Sequence, residues 1–71
     1  MKAYAYKCNQ DGIIAKTLTD TERGAKVNAL WIIADHMCMA DNSDSHINNQ
    51  FRYRLGKLGT IVQVYITEVE M

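Results

Sequence analysis

Apolar and polar residues alternate along three short segments of the chain, a pattern typical of half-buried β-strands. In the third segment, Val62, Val64 and Ile66 share one face, and polar and larger side chains share the other. Aromatic and β-branched residues, which favour extended backbone, are frequent in all three. The predicted strands are Lys2–Cys8, Ile13–Leu18 and Thr60–Glu68.

The residues between the first two segments favour a tight turn. They read Asn9-Gln10-Asp11-Gly12, and the glycine can adopt a positive φ without a steric penalty. The sequence therefore predicts a β-hairpin at the start of the chain.

A longer apolar segment, Thr19–Ala40, is predicted to be a central helix. Its first residues, Thr19-Asp20-Thr21-Glu22, have the form of a capping box, in which the Thr19 hydroxyl accepts from the Glu22 amide. The acidic side chains also lie where the helix dipole favours negative charge.

This helix is apolar on more than one side, which indicates that it is buried on more than one side. One arc is predicted to face the sheet, with Leu30, Trp31, Ala34 and Val27 packed against Val62, Val64 and Ile66; Met37 and Cys38 lie on the same arc. The other side carries Ala25, Ala29, Ile32, His36 and Met39. This second side either is covered by the rest of the chain or contacts another subunit or partner.

The segment 47–58 fits two secondary structures. Ile47, Phe51, Leu55 and Leu58 recur at helical spacing, with Asp44 or Ser45 as a cap and Gly59 as a left-handed end. Residues 51–55 also alternate as a strand would, but the helix uses all four large apolar residues. We therefore predict a single α+β domain over residues 1–71, of order β-β-α-α-β with β-β-α-β-β as the alternative, in which the long central helix packs on one face of a small antiparallel sheet.

Composition narrows the function classes. Eight basic and eight acidic residues cancel, so charge alone does not predict a nucleic-acid-binding protein. No apolar run is long enough to span a membrane, and the N-terminus lacks the apolar core of a signal peptide, which favours a cytoplasmic protein. In that compartment Cys8 and Cys38 are expected to be reduced, buried thiols.

Two clusters of polar residues are candidate sites. Potential metal ligands gather between residues 35 and 46, but their spacing matches no zinc or calcium pattern, and we expect a solvated helix end and loop. They are Asp35, His36, Cys38, Asp41, Asp44 and His46. Arg52, Arg54 and Lys57 form a basic cluster that either is a solvated helix flank or contacts nucleic acid or an acidic partner.

Enzymatic chemistry is not predicted. No histidine stands beside a nucleophile with an orienting acid, no glycine-rich phosphate loop is present, and carboxylates are not paired across a recognisable cleft. We expect neither a catalytic residue nor a cofactor or bound metal.

The opening MKAYAYKCNQDGIIAKTL, the capped helix and the closing TIVQVYITEVE resemble, in size and element order, small accessory proteins of bacteriophages and mobile elements, including anti-CRISPR proteins. The resemblance implies a non-enzymatic protein that binds and inhibits a host defence or regulatory complex in the bacterial cytoplasm. It carries over no functional residue. The alternative is a small nucleic-acid-binding regulator that uses Arg52, Arg54 and Lys57.

The surplus of apolar helix surface also predicts a twofold homodimer. Small Ala25 and Ala29 would let two helices approach closely, with Ile32 and Met39 as anchors and His36 at the interface. Protonation of His36 would then loosen the dimer.

Overall fold

The computed structural model describes residues 2–38 and 42–65. They form a three-stranded antiparallel sheet and two helices in the order β-β-α-α-β, which confirms the predicted α+β class and the predicted order. The elements are β1 (Lys2–Cys8), β2 (Gly12–Thr19), α1 (Glu22–Ile32), α2 (Asp44–Leu55) and β3 (Gly59–Tyr65).

The predicted hairpin is confirmed. β1 and β2 pair antiparallel, with Cys8 opposite Gly12 and Lys7 opposite Ile13 at the turn end. Gly12 adopts a φ of +75°, the left-handed conformation that glycine tolerates best. Residues 9–12 therefore form the tight turn that the sequence predicts.

A large irregularity interrupts the other end of this pair. Tyr6 pairs with Ile14 and Tyr4 pairs with Thr19, so two steps along β1 correspond to five steps along β2. Thr17 lies inside this bulge and is completely buried. Its hydroxyl accepts a hydrogen bond from the Tyr6 backbone N–H at 2.8 Å and donates to the Ile14 carbonyl at 2.6 Å. One side chain thus supplies the partner that a regular ladder would have provided.

The sheet order is β2-β1-β3, so β1 is the central strand. β1 and β3 pair without a break, from Lys2 opposite Tyr65 to Cys8 opposite Gly59. A side chain at Gly59 would collide with the Lys7 carbonyl oxygen and the Tyr6 ring. Gly59 therefore allows the close approach of these two strands, and it does not end α2 as the sequence analysis proposed.

The sheet face that meets the helices differs from the predicted one. Ile61 pairs with Tyr6 and packs against the core, whereas Val62 and Val64 pair with Ala5 and Ala3 on the alternate face. The expectation that Val62 and Val64 face the helix is therefore wrong, and Ile66 lies outside the described residues.

The first helix is shorter than predicted. Its N-cap is Thr21, whose hydroxyl accepts from the Gly24 N–H at 2.9 Å, so the capping box at Thr19 does not form. Thr19 remains in β2, since the bulge lengthens that strand. The helix spans 11 residues and ends at Ile32; Asp35 then adopts a φ of +53°, and the His36 N–H donates to the Leu30 carbonyl. A long central helix over Thr19–Ala40 is not observed.

The buried side of α1 is also different from the predicted one. Ala25, Ala29 and Leu30 are fully buried, while Val27 is half-buried and Trp31 is exposed. Leu30 was predicted correctly, but Trp31 was assigned to the wrong side. The two alanines allow α1 to lie close to the sheet, and the bulky tryptophan is left facing outward.

The segment 47–58, for which the sequence allowed a helix or a strand, is helical as far as Leu55, which confirms the predicted helix. Ser43 is the N-cap and accepts from the His46 N–H, and Gly56 ends the helix. Ile47, Phe51 and Leu55 are buried as predicted, whereas Leu58 lies beyond the helix and is exposed.

Tyr6 is the centre of the core. Its ring meets that of Phe51 edge to face, with centroids 5.7 Å apart, and its hydroxyl donates to the Leu55 carbonyl at 3.0 Å. Burial, and to a lesser extent Cys8, raises the pKa of Tyr6 above its ordinary value of 10.0. The core cluster is completed by Ala29, Leu30, Phe51 and Leu55, with Cys8, Ile14, Ala34, Cys38 and Ile61 partly buried against it.

Candidate functional site

Large apolar side chains are exposed where α1 ends. Trp31 is 56% exposed and Met37 is 68% exposed, and Ile32 and Ile33 between them are also exposed. We refer to these four residues, Trp31, Ile32, Ile33 and Met37, as the α1 apolar surface. Isolated exposed apolar residues are common, but four within seven positions expose an unusual amount of apolar area near the end of one helix.

The backbone at the end of α1 keeps this surface in place. The Ile33 N–H donates to the Ala29 carbonyl at 2.9 Å, and the left-handed Asp35 turns the chain so that the His36 N–H reaches Leu30. On either side of Asp35, Ala34 and Cys38 pack onto the core. Their packing leaves Met37 and the last residues of α1 facing outward.

An apolar pocket of about 290 Å³ adjoins the surface. Ile33 belongs to both, and Leu58 forms part of the opposite wall. The Asn9 N–H donates to the Leu58 carbonyl at 2.8 Å, and the Asn9 side chain donates to the Lys57 carbonyl at 3.1 Å. These bonds tie the hairpin turn to the turn after α2, so the pocket has a fixed rim. The lining residues are Tyr6, Cys8, Asn9, Gln10, Ile33 and Leu58.

A second cavity, of about 320 Å³, is lined mostly by polar residues and lies between α1, α2 and β3; we refer to it as the polar cleft. Lys26 is the central group in this cleft: its ammonium lies 2.8 Å from the Asn48 side-chain oxygen and 5.9 Å from the centre of the Phe51 ring. It also lies 4.0 Å from a Glu22 carboxylate oxygen. Arg52 lines the same cleft and donates to the Asn49 side chain. Most of these polar groups already have partners within the chain.

The predicted basic cluster is not a single surface. Arg52 and Arg54 lie two positions apart on α2, about 200° around the helix, so they project from opposite flanks. Arg52 donates to Asn49 and Arg54 donates to Gln50, each at 3.1 Å. Lys57 follows in the turn after the helix. The three side chains are exposed, but only Arg54 and Lys57 remain candidates for a shared patch.

The predicted dimer interface is contradicted at two of its five positions. Ala25 and Ala29 are fully buried within the chain, and Ala29 packs in the core cluster with Tyr6 of β1. Ile32 is exposed and His36 is half-buried. Met39 lies outside the described residues. These two alanines are therefore not available for contact with a second copy.

The potential metal ligands between residues 35 and 46, for which no bound metal was expected, are only partly described. Asp41 lies outside the described residues, and in residues 2–38 and 42–65 no three His, Cys, Asp or Glu side chains are grouped to hold a metal ion. Asp44 instead forms an ion pair with Arg23 at 2.7 Å. Cys8 and Cys38 are free thiols; Cys8 lies 4.0 Å from the Asp11 carboxylate at the edge of the apolar pocket.

The apolar pocket and the polar cleft were not predicted from the sequence. Both depend on contacts between segments distant in sequence, such as Asn9 with Leu58 and Lys26 with Asn48. A usable signal for the α1 apolar surface is the pair Ala25 and Ala29, because small side chains mark the side of a helix that packs closely.

Comparison with protein-family models, with curated proteins and with solved structures finds no match for the chain. Within the described residues, no helix is long and apolar enough to cross a membrane.

Proposed function

We propose that this chain is a small non-enzymatic binding protein of the bacteriophage accessory type, which inhibits or modulates a host protein complex in the bacterial cytoplasm. The α1 apolar surface is the contact that it presents. The observation that carries the proposal is the exposure of Trp31 and Met37 beside Ile32 and Ile33 at the end of one helix.

The composition of this surface suits a protein partner. Tryptophan is enriched among the residues that dominate interface energies, and methionine adapts its shape to irregular partners. Fully burying an apolar side chain of this size contributes about 1.5–3 kcal/mol, although association costs offset part of that gain. Trp31 and Met37 together therefore supply the central anchors of a modest interface.

The apolar pocket gives the same surface a concave element. Ile33 links the pocket to the α1 apolar surface, and the Asn9 hydrogen bonds hold its rim in the free protein. A rim that is already ordered loses little entropy when a partner side chain enters. In this proposal the partner inserts one apolar side chain into the pocket beside Ile33, and Trp31 makes a separate contact.

The test is capture from a bacterial lysate with the immobilised chain, identification by mass spectrometry, and measurement of affinity with the purified partner. Trp31→Ala is expected to weaken binding by about 30-fold, the equivalent of about 2 kcal/mol. Tyr53→Ala is the matched control, because Tyr53 is an aromatic residue on the outer side of α2 that is 85% exposed. A partner bound equally well by Trp31→Ala and wild type would contradict the proposal.

The alternative class, a nucleic-acid-binding regulator, is distinguished by a gel-shift assay at two salt concentrations. Phosphate contacts weaken steeply as salt rises, whereas burial of apolar surface does not. Binding that weakens with salt and is reduced by Arg54→Ala with Lys57→Ala would favour the regulator. Retention of a protein partner by that double variant would favour the proposed function.

A further inference from the structure

The two outer strands of the sheet have different edges. In β2, the bulge between Ile14 and Thr19 breaks the ladder, and the exposed Lys16 adds a charge. The Asn28 side chain of α1 also donates to the Thr17 carbonyl there, at 3.2 Å. β3 is regular over its whole length on β1, and its sequence GTIVQVY contains neither a charged residue nor proline.

Regular, uncharged edge strands are templates for another strand, since their outer N–H and C=O groups are unpaired. Proteins usually protect such edges with bulges, charges or proline, and β2 shows the first two of these devices. Within the described residues, β3 has β1 on one side and no strand on the other. The contrast between the two edges indicates that β3 is an interaction site.

We propose that β3 pairs antiparallel with β3 of a second copy, so that two three-stranded sheets join into one of six strands. A second copy fits because an antiparallel strand edge is self-complementary under a twofold axis. Side chains directly opposite each other must lie on the same face of the sheet, which restricts the register to a few choices.

Among these registers, the one centred on Gln63 matches side chains best. It places Val62 opposite Val64 of the copy on one face, and Ile61 opposite Tyr65 of the copy on the other. Aromatic and β-branched residues are favourable cross-strand neighbours. A register centred on Val62 would instead place Ile61 opposite Gln63 of the copy, and thus an apolar residue against a polar one.

The register centred on Gln63 also covers an exposed side chain. Tyr65 is 73% exposed at the end of β3 in the single chain, and in the pair it would contact Ile61 of the copy. Gln63 is exposed and would meet its own counterpart, to which an amide can both donate and accept.

This inference goes beyond the proposed function and uses a different surface. α1 packs mainly on β1 and β2, away from the outer edge of β3. A dimer formed through β3 therefore leaves both α1 apolar surfaces free, and it would present two of them to a partner. Bivalent presentation raises the overall affinity for a partner that itself has two sites.

The experiment is sedimentation equilibrium of the purified chain at concentrations up to about 1 mM. At that concentration even a dimer with a dissociation constant of about 1 mM is detected. Wild type is expected to exceed the 8.1 kDa mass of one chain and approach twice that value. Gln63→Lys is expected to weaken association by about tenfold or more, because two like charges would lie opposite each other. Ala15→Lys, an exposed position on β2, is the matched control and should associate like wild type.

A charge exchange tests the register itself. Gln63→Glu alone should also associate weakly, and an equimolar mixture of Gln63→Lys and Gln63→Glu should restore the dimer. Circular dichroism of each variant confirms that it is folded. A wild-type mass of 8.1 kDa at every concentration, a dimer that survives Gln63→Lys, or a mixture no tighter than its components would overturn the proposal. Loss of partner binding by Trp31→Ala leaves this result unaffected, so the two proposals fail separately.

Discussion

The two helices have nearly the same length and bury three residues each, but their outer sides are opposite in character. α2 buries the large residues Ile47, Phe51 and Leu55, and its exposed side is polar or amphipathic, as in an ordinary amphipathic helix. α1 buries Ala25, Ala29 and Leu30, and large apolar residues are exposed at its C-terminal end.

This difference shows how the core is filled. The volume between sheet and helices comes from Tyr6, Leu30, Phe51 and Leu55, and the other two buried residues of α1, Ala25 and Ala29, are small. The exposed large residues of α1, Trp31 and Ile32, are therefore not required to complete the core. They are available for a partner without loss of fold, which is the central claim of this account.

The largest effect on stability is expected for a core residue of α2. Phe51→Ala removes the ring that meets Tyr6 and should lower the free energy of unfolding by about 3–5 kcal/mol. Chemical denaturation followed by circular dichroism measures it. A loss below about 1 kcal/mol would mean that α2 does not supply the core.

A smaller effect is expected at Thr17, whose hydroxyl links β1 to β2 within the bulge. Thr17→Val leaves the Tyr6 N–H without its partner and should cost about 1–3 kcal/mol. Thr17→Ser keeps the hydroxyl and is the control, with a loss expected to be clearly smaller in the same denaturation experiment. Equal losses in the two variants would show that the methyl group, rather than the hydrogen bonds, fixes the bulge.

Substitution of Tyr6 is expected to change the free energy of unfolding still less, and the change depends on pH. Tyr6→Phe removes the bond to the Leu55 carbonyl and should cost about 0.5–1.5 kcal/mol at neutral pH. We expect the lower part of that range, because the Leu58 N–H also donates to this carbonyl.

The pH dependence follows from the direction of the pKa shift. Burial, with a lesser contribution from Cys8, raises the pKa of Tyr6 in the folded chain above its ordinary value of 10.0. As pH rises past that value, the unfolded chain loses a proton that the folded chain keeps, so stability present at lower pH is lost on going alkaline. Unfolding measured from neutral to alkaline pH should show a steeper decline for wild type than for Tyr6→Phe. Parallel declines would contradict this assignment.

The parts of the fold with local signals were predictable. Gly12 marks the turn, alternation marks β1 and β3, and the spacing of Ile47, Phe51 and Leu55 marks α2. These features depend on neighbouring residues alone, so a sequence pattern can reveal them.

The errors concern α1, where tertiary contacts override the local pattern. Its helical spacing with Leu30 and Ala34 placed Trp31 on the arc predicted to face the sheet, but Ala25 and Ala29 are buried instead and Trp31 is exposed. The charge of Lys26 also suggests that this side of α1 faces solvent. In the structure the Lys26 stem is largely covered and its ammonium is bound to Asn48 of α2. The alternation of residues in β2 gives no sign of the bulge at Thr17. Because the bulge keeps Thr19 in β2, α1 begins later than predicted.

The most direct test is the free energy of unfolding of Trp31→Ala, measured by urea denaturation and followed by far-ultraviolet circular dichroism because the chain has no other tryptophan. Since Trp31 lies outside the core, we expect a loss below about 1 kcal/mol. A loss comparable with that of Phe51→Ala would show that Trp31 belongs to the core and would contradict the account.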